Sequence, residues 1–434
     1  MRIAIIGTGI SGLGAAWALR RHAQVTLFEA GDHFGGHTHT VDVHLPGELP
    51  FAVDTGFLVL NERTYPRLQA LFAELDVPLA TSDMSFSVQA PMAGGKSLEW
   101  SGSSMDTVFA QRRNLSRPAF WRMLRDILRF NRAATALARL PDAELDQTRT
   151  VGDYLRREGY SDTFLHWYLL PMTACIWSCP PGQMLDFPLA TLVRFCDNHG
   201  LLQVNNRPQW FTVRGGARQY VQKILAHFQD ARLNTPVQRV IRHDSGVELH
   251  TAGGPIWFDR VIFACHSDQA LALLDAPSDA ERAVLGAIHY QPNRALLHTD
   301  TGLLPQSHKA WAAWNYESSA AEGGQAQTVC LHYLLNKLQP LPTQKPIVVS
   351  LNPLRQPAPH TVLREISYAH PIFDQAAIAA QRRVPGLQGK QRSYFCGAWC
   401  GYGFHEDGLK SGYAAAQALL SDVDALPVSA AIAA

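Results

Sequence analysis

The sequence lacks several features that would place the chain in a special class of protein. No apolar run in its 434 residues approaches the roughly 18 residues that cross a bilayer, so we expect no membrane-spanning helix. The 38 basic and 37 acidic side chains nearly balance, which excludes a general electrostatic preference for nucleic acid. The first strand-like run begins at Arg2 and leaves no room for a secretion signal, so we predict a cytoplasmic protein.

Cysteine is scarce and irregularly placed. Seven cysteines, an odd number, are scattered from Cys175 to Cys400 and do not form a disulfide framework. The pairs Cys175/Cys179 and Cys396/Cys400 have a spacing that zinc sites permit, but no two-plus-two arrangement with clear turn signals accompanies them. We therefore predict buried, unreactive thiols and no metal site.

The composition is that of a globular protein, and the chain starts with a strand-helix-strand unit. Hydrophobic residues make up 47% of the chain, enough for a large core and, at this length, for two domains. Arg2–Ile6 has the pattern of a buried strand, and Gln24–Phe28 has the pattern of the next one. Residues Ser11–Arg21 between them are predicted to be helical.

A glycine motif joins the first strand to its helix. Gly7, Gly9 and Gly12 have the spacing of a dinucleotide-binding turn. Gly7 permits the tight turn, Gly9 lets a pyrophosphate approach the backbone, and Gly12 lets helix and strand pack closely. Glu29, at the end of the second strand, is placed to bond the adenosine ribose. The predicted cofactor contacts in this segment are Gly7, Gly9, Ile10, Ser11, Gly12 and Glu29.

Further glycine-rich segments favour FAD over NAD. A second turn at Gly35 and Gly36 lies close enough along the chain to return to the pyrophosphate. In a flavoprotein the last strand would deliver Gly397 beside the pyrophosphate, and the helix near Gly408 would point its positive N-terminus at the flavin ring. The predicted contacts in these segments are Ala30, Gly35, Gly36, His37, Thr55, Gly56, Phe57, Gly397, Ala398, Asp407, Gly408 and Leu409.

The rest of the chain alternates between helical and strand-like regions. Helical periodicity runs from Leu98 to Asp146 and from Asp162 to Val193. The later strand-like segments are Val237–His250, Asp259–Cys265, Lys345–Leu351 and Tyr394–Gly397. This order predicts an α/β fold in which a Rossmann-type FAD-binding domain, discontinuous in sequence, carries an inserted mixed α+β substrate domain. The predicted segments are 1–85, 205–275 and 386–424 for FAD, 86–204 and 276–385 for substrate, and 425–434 as a flexible tail.

These motifs together resemble the flavin-containing amine oxidase superfamily of monoamine oxidases, protoporphyrinogen oxidase and phytoene desaturases. Within it, the chain is most similar to bacterial NAD/FAD-binding proteins that are like the flavoprotein domain preceding plant cyclopropane fatty acid synthases. The matching stretches are Gly35–Thr40, Asp54–Phe57, Ile176–Ser178, Asn198–Leu201, Trp210–Gly216 and Gly403–Gly408. The resemblance implies a backbone contact from Val237 to adenine and places Ala264 near the cofactor.

The sequence departs from this pattern at three points. Many relatives have an arginine where this chain has His37, so a fixed positive charge is replaced by a titratable group. Many also have an acid that bonds the ribitol where this chain has Ala398 and Trp399. The cysteine that links flavin covalently in monoamine oxidases has no counterpart upstream of the last strand. We therefore expect FAD to be bound noncovalently.

Two side chains before the last helix are candidates for catalysis. His405 and Glu406 could accept the proton that a desaturation releases, with Tyr402 and Phe404 as aromatic walls of the site. The alternative is structural, with Glu406 and Asp407 capping the helix and favouring its positive end.

An arginine-rich stretch is the most informative feature outside the cofactor motifs. Arg122, Arg125, Arg129 and Arg132 recur at helical spacing on one side. The residues that define another side are Phe120, Leu124, Ile127 and Leu128. A basic amphipathic helix can lie in a membrane interface or meet an anionic head group. The alternative is an ordinary solvated helix whose apolar stripe lies in the core.

The residues and the resemblance predict an FAD-dependent oxidoreductase that dehydrogenates an apolar, acyl-lipid substrate by hydride transfer to flavin N5. No second nucleotide motif follows Glu29, so NADPH is not expected to reduce the flavin. One rival function is oxidation of small amines, which requires an aromatic cage for a neutral amine. Another is a catalytically idle FAD-binding subunit that partners a lipid-modifying methyltransferase.

Overall fold

The computed structural model describes residues 1–92, 94, 96–141, 143–146, 148–177, 181–203, 207–318 and 329–424. The predicted flexible tail at 425–434, Ser178 and Cys179 lie outside this part of the chain. No helix in the described ranges is both long enough and apolar enough to cross a membrane.

Within the described residues, the strands belong to two larger and three smaller sheets. In chain order they are β1 Arg2–Ile6, β2 Gln24–Phe28, β3 Thr40–Val43, β4 Phe51–Asp54, β5 Leu60–Asn61, β6 Leu79–Ser82, β7 Phe86–Met92, β8 Lys96–Ser101, β9 Trp210–Val213, β10 Asp230–Arg232, β11 Arg239–Arg242, β12 Val247–Thr251, β13 Gly254–Phe258, β14 Arg260–Phe263, β15 Tyr290–His298, β16 Trp314–Glu317, β17 Leu331–Leu334, β18 Val348–Leu351, β19 Val362–Pro371 and β20 Ser393–Phe395.

The α-helices vary from single turns to more than five turns. In chain order they are α1 Ile10–Leu19, α2 Pro66–Glu74, α3 Met105–Val108, α4 Pro118–Ala138, α5 Val151–Glu158, α6 Asp162–Phe164, α7 Leu170–Trp177, α8 Leu189–Asn198, α9 Arg218–Leu225, α10 Ser267–Leu273, α11 Asp279–Leu285, α12 Leu335–Leu338, α13 Gln375–Gln381 and α14 His405–Asp424. A π-helical turn covers Leu165–Leu169, and 3-10 turns cover Arg112–Ser116, Pro181–Leu185, His308–Ala310, Pro359–Thr361, Val384–Leu387, Lys390–Arg392 and Ala398–Cys400.

A parallel sheet carries the glycine motifs at the ends of its strands. Among the described residues its order is β10-β2-β1-β14-β20, with every neighbouring pair parallel. The central strand β1 is apolar and buried from Ile3 to Ile6, as expected for a strand covered on both faces. The helices α1 and α14 follow β1 and β20, the strands that deliver Gly7 and Gly397. The predicted α/β class is confirmed.

A mixed sheet forms the second body, with the order β19-β15-β18-β17-β16-β7-β8 among the described residues. Its β16–β7 pair is parallel, and its other pairs are antiparallel. Its strands lie within the segments predicted for the substrate domain, and those of the parallel sheet lie within the segments predicted for FAD. The division into domains itself stays a prediction.

The helical prediction that begins at Leu98 was wrong at its start. Leu98 and Trp100 lie on β8, opposite Ala90 and Val88 of β7. Both side chains are buried and alternate with polar residues, which is the two-residue period of a strand. Helix α4 does follow, and its buried side chains, including Phe120 and Phe130, join two apolar clusters of the core.

Candidate functional site

The first glycine turn is open on the side where α1 begins. Gly7 has φ +102°, and a Cβ at this position would lie 2.8 Å from the carbonyl oxygen of Ala264. Both the backbone angle and the lack of space therefore require glycine here. At Gly9, which precedes α1, an added Cβ would have no atom of the described residues within 4 Å. The backbone directly before α1 is therefore unobstructed on the side to which a Gly9 side chain would point.

The two helices that follow these glycine segments cross at very short distance. An added Cβ at Gly412 would overlap the carbonyl oxygen of Ser11, and one at Gly408 would lie 2.7 Å from Ile10 Cγ2. Gly12 permits the same closeness on the strand side, since a Cβ there would overlap Gly7 O. As a result, the N-terminal turns of α1 and α14 lie side by side. Each N-terminus carries a partial positive charge, so the pair suits an anionic, phosphate-containing ligand.

Glu29 lies at the end of β2 beside the first turn. Its carboxylate accepts hydrogen bonds from the N–H (3.1 Å) and hydroxyl of Thr8 and from the N–H of Gly31 (2.9 Å). The N–H of Thr235 donates to the Glu29 carbonyl at 2.7 Å, which brings the segment leading to the buried Val237 close to this carboxylate. Ala30 is exposed. Glu29 therefore has a fixed orientation at the predicted adenosine end.

The second glycine turn returns to the first, as predicted from the sequence. A Cβ at Gly36 would lie 3.2 Å from the Cα of Gly9, and the N–H of Gly35 donates to Thr8 Oγ1 at 3.3 Å. Both glycines have positive φ angles, +115° at Gly35 and +57° at Gly36. The two turns therefore lie against each other at the carboxyl end of β1 and form one glycine-lined cradle.

His37 is the unusual side chain of this cradle. Its Nε2 is buried and has no hydrogen-bond partner among the described residues. Its ring packs near His370 (5.3 Å between ring centroids) and against Tyr368 (5.0 Å). Burial and the neighbouring His370 lower the pKa of His37 well below its usual value, so the ring is neutral at pH 7. A neutral imidazole with a free nitrogen fits a hydrogen bond to a cofactor and cannot replace the charge of an arginine.

The segment after β4 continues the cradle on the side of the large sheet. Thr55 Oγ1 donates to His39 O at 3.0 Å and lies 2.9 Å from Tyr368 Oη. A Cβ at Gly56 would overlap the carbonyl oxygen of His37, so this glycine too is required. The buried Asp54 accepts the N–H of Ala217 at 2.9 Å and therefore joins the strand turn to the start of α9.

The C-terminal segment joins the same site. The N–H of Gly397 donates to Ser411 Oγ at 3.0 Å, which ties the end of β20 to α14. Ala398 begins a 3-10 turn, and the next residue, Trp399, is buried and donates its indole N–H to Cys265 O at 3.2 Å. Leu409 is buried, and a Cβ at Gly14 of α1 would lie 2.6 Å from its Cδ1.

Asp407 has the role of a helix cap. Its carboxylate accepts the N–H of Phe404 at 3.1 Å, directly before α14. Burial raises the pKa of Asp407 to about 6, because few water molecules can solvate its charge. The structural alternative for this residue therefore fits the geometry.

His405, proposed as a proton acceptor, is held by three neighbours. Its Nε2 lies 2.9 Å from Thr38 Oγ1 and 3.3 Å from Tyr220 Oη, and its ring stacks on Phe57 at 3.7 Å between centroids. Burial lowers the pKa of His405 to about 3. The imidazole therefore stays neutral at pH 7. Because its Nε2 is already hydrogen-bonded, it is a weak proton acceptor. Its catalytic role stays a prediction.

Glu406 points away from the glycine cradle. Its two carboxylate oxygens accept the N–H groups of Arg67 (3.0 Å) and Leu68 (2.9 Å), at the first turn of α2. Glu406 lies in the first turn of α14 and thus satisfies free N–H groups of a different helix, α2. The predicted alternative, in which Glu406 caps α14, is wrong for this residue, because its carboxylate caps α2 instead.

We expect Glu406→Ala to lower the free energy of unfolding by about 1 kcal/mol, the usual cost of losing a helix cap. The rate of substrate-driven flavin reduction should not change, since the carboxylate is used by α2. Thermal unfolding and anaerobic reduction would be measured on both proteins, with Glu62→Ala, an exposed glutamate just before α2, as the control. An unaltered unfolding midpoint with a lost reduction rate would return Glu406 to the catalytic candidates.

The low pKa of His405 predicts acid sensitivity. The folded-state pKa of about 3 lies below the unfolded value near 6.5, so the unfolded chain binds this proton first as pH falls. The contribution of His405 to the free energy of unfolding is therefore complete above pH ~6.5. It decreases as the pH falls below this value, by up to about 1.4 kcal/mol per pH unit. Denaturant unfolding at several pH values should show a shallower pH slope for His405→Gln than for the wild-type chain. Equal slopes in the two proteins would contradict the lowered folded-state pKa of His405.

Aromatic side chains line the region beside the start of α14. Phe195 of α8 stacks on Phe404 (5.1 Å between ring centroids) and meets Tyr402 edge-on (5.9 Å). A cavity of about 190 Å³ adjoins Tyr402, between α8 and α13. Arg194 and Arg382 line it, together with apolar and neutral polar side chains, and no carboxylate is among its described lining residues. A larger groove of about 600 Å³ lies at the far end of α1, beside Trp17, away from the glycine turns.

Four of the described thiols fit the prediction of buried cysteines, whereas Cys265 and Cys400 are half-buried. Cys175, Cys196, Cys330 and Cys396 are buried and unbridged, and burial raises the pKa of Cys196 to about 12. One described group of side chains, Glu317, Cys330 and His332, could in principle hold a metal ion.

The polar atoms of this group are already engaged. His332 Nε2 lies 3.0 Å from a Glu317 oxygen, and Arg355 pairs with the other oxygen at 2.9 Å. Ser350 occupies the remaining nitrogen of His332 at 2.7 Å. A hydrogen-bonded ion pair therefore accounts for this cluster.

Several residues of the site were missed from the sequence. Thr8, which holds Glu29, lies inside the first glycine turn and could have been found from its position. Thr38 lies inside a stretch that carried the family resemblance. Tyr368 and His370 come from β19, more than 300 residues from His37, and no local motif marks them.

The parallel sheet, the paired glycine turns and the two converging helix N-termini define a dinucleotide-binding flavoprotein fold. The family described as flavin containing amine oxidoreductase matches residues 10–334, about three quarters of the sequence. The chain belongs to this family and is a flavin-dependent oxidoreductase. The predicted superfamily is thereby confirmed.

Solved structures share the fold over nearly the whole chain. Cyclohexylamine oxidase from Brevibacterium oxydans IH-35A superposes with a TM-score of 0.68 at 18% identity, covering 98% of this chain and 99% of its own. The CLA-producing fatty acid isomerase from P. acnes gives 0.65 at 14% identity, covering 95% and 97%. Putrescine oxidase bound to putrescine gives 0.65 at 16% identity, covering 97% and 99%. No curated protein matches the sequence.

Proposed function

We propose that the protein binds FAD noncovalently and dehydrogenates an apolar, acyl-lipid substrate. Bound FAD supplies the hydride acceptor for oxidation of a C–H bond, and the protein supplies binding, orientation and exclusion of water. The observation that carries the cofactor assignment is the convergence of the α1 and α14 N-termini at the paired glycine turns, with Glu29 at one end. Those features fit the pyrophosphate, the flavin ring and the adenosine ribose of one extended dinucleotide.

The cradle also supports noncovalent binding. Cys396 is buried within the end of β20, and burial raises its pKa well above the usual value, so its thiol is not disposed to react. Cys265 and Cys400, the other two thiols near the segment, have pKa values raised to about 12 by burial. Hydrogen bonds to the backbone cradle and the free Nε2 of His37 are then the means of holding FAD.

The substrate class rests on the cavity beside Tyr402. Its lining combines apolar surface from Phe373 and Ile378 with the guanidinium groups of Arg194 and Arg382. Such a lining suits an acyl chain that ends in an anionic group, because the chain buries apolar surface and the anion meets an arginine. A protonated amine would meet two positive charges there without a carboxylate among the described lining residues.

The neighbouring structures include proteins named for amines and for a fatty acid, so they do not decide between the substrates. Oxidation of small amines is therefore the rival function. The second rival function is that of an idle FAD-binding subunit beside a lipid-modifying methyltransferase. Lack of flavin reduction by any lipid would favour this second rival.

Anaerobic flavin reduction tests the substrate. Free fatty acids and phospholipids should bleach the flavin within a normal turnover, whereas primary and secondary amines, NADH and NADPH should not. Arg382→Gln should raise the fatty acid concentration needed for half-maximal reduction by about tenfold, the value of one charged hydrogen bond. Arg383→Gln changes the next residue, which is exposed and does not line the cavity, and should have no effect. Rapid reduction by amines and not by lipids would overturn the proposed substrate.

A further inference from the structure

Helix α4 presents an exposed stripe in which apolar and cationic side chains alternate. Trp121, Arg125, Leu128 and Arg132 are spaced by four, three and four residues, so they lie along one side of the helix. Trp121 is 48% exposed and Leu128 is 60% exposed, although a water-facing helix normally buries such side chains. The predicted grouping of Leu128 with an apolar side separate from the arginines was wrong, because its exposed side chain stands among the arginines.

Three arginines of this helix have no partner in the part of the chain that the structure describes. Among the described residues, no ion pair or side-chain hydrogen bond engages Arg122, Arg125 or Arg132. Arg129 differs, since it pairs with Asp126 at 3.6 Å and stacks over Tyr160 at 3.9 Å. The predicted four-arginine face therefore consists of three available charges and one that is used within the fold.

The apolar part of the stripe continues beyond the helix. The indole N–H of Trp121 donates to the carbonyl oxygen of Leu115 at 2.9 Å, and the Leu115 side chain is 50% exposed. Trp121 also packs against Phe109, with 5.3 Å between the ring centroids, which fixes its orientation. We define the α4 surface as Leu115, Trp121 and Leu128 together with Arg122, Arg125 and Arg132.

We propose that the α4 surface docks on the head groups of an anionic membrane. The three arginines would meet lipid phosphates, while Leu128 and Leu115 reach the acyl boundary and Trp121 lies at the head-group level. A second copy of the chain fits poorly, because symmetric pairing would bring the same three positive charges face to face. This docking is independent of the substrate of the flavin site, so it holds or fails separately from the proposed function.

Vesicle flotation of the flavin-loaded protein tests the proposal. The wild-type chain should float with phosphatidylglycerol vesicles and not with phosphatidylcholine vesicles, and salt should release it. The triple variant Arg122→Gln, Arg125→Gln and Arg132→Gln should bind roughly a hundredfold more weakly, since each cation near the surface contributes about a factor of five. The matched control, Arg21→Gln, Arg157→Gln and Arg383→Gln, removes three exposed charges from other elements and should bind like the wild type.

A separate variant tests the apolar half of the surface. Leu128→Gln leaves the charges unchanged and should weaken binding about tenfold, because one exposed leucine no longer enters the acyl boundary. Flavin content reports folding in every variant. Equal binding to both kinds of vesicle, equal losses in the triple variant and its control, or no binding by the wild-type chain would overturn the proposal. A wild-type dimer that the triple variant dissociates would instead identify a second copy as the occupant.

Discussion

A Gly9→Val variant is expected to fold and to be purified without its yellow colour. The backbone at Gly9 has φ −61° and ψ 176°, which valine adopts freely, and no atom of the described residues lies within 4 Å of an added Cβ. The branched side chain would instead fill the space where the pyrophosphate must approach the α1 N-terminus. Flavin occupancy, measured by absorbance per mole of protein, should fall from near full to near zero.

The control for this variant is Gly386→Val. Gly386 is exposed and equally free of described neighbours, so it tests the cost of adding a valine where no cofactor is expected. Far-ultraviolet circular dichroism should show native helix content in both proteins. If Gly9→Val keeps the flavin occupancy of the wild-type chain, the first glycine turn is not the pyrophosphate site.

A Gly412→Ala variant is expected to damage the fold itself. Its new Cβ would overlap the carbonyl oxygen of Ser11, so α14 and α1 would have to move apart. Overpacking of this kind costs about 1–3 kcal/mol, and it also displaces the two N-termini that frame the cofactor. We expect a lower unfolding temperature together with partial loss of flavin, in contrast to the folded but colourless Gly9→Val protein.

Ala414→Leu is the matched control on the same helix, because residue 414 is exposed and added bulk there points toward solvent. Its unfolding temperature and flavin content should equal those of the wild-type chain. A Gly412→Ala protein with wild-type stability would mean that the two helices do not pack at this distance in solution.

The parts of the fold that were predictable are those with local signals. The bounds of β1 and β2 agree with the prediction residue for residue, because short apolar runs frame a glycine turn. The contact between Gly36 and Gly9 was also predictable, because the second glycine turn follows Glu29, at the end of β2, by only a few residues. The strand at Leu98 was missed because its alternation is short and lies beside a long helical pattern.

The partners of the site residues could not be predicted, because they come from distant segments. Glu406 bonds the N–H groups at the start of α2, and sequence spacing does not show which helix end a carboxylate will reach. His37 contacts His370 and Tyr368 because β19, the edge strand of the mixed sheet, packs beside the second glycine turn. The exposure of Leu128 was equally hidden, since helical periodicity alone does not say which side of α4 faces the core.

The most direct test of the central claim is to identify what the denatured protein releases. Freshly purified protein would be unfolded without protease and separated from its small molecules, and the supernatant would be chromatographed against FAD and FMN standards. The converging α1 and α14 N-termini with Glu29 at the adenosine end predict FAD in the supernatant at close to one mole per mole and a colourless protein pellet. FMN alone, no flavin, or flavin that stays attached to the unfolded chain would contradict noncovalent FAD binding.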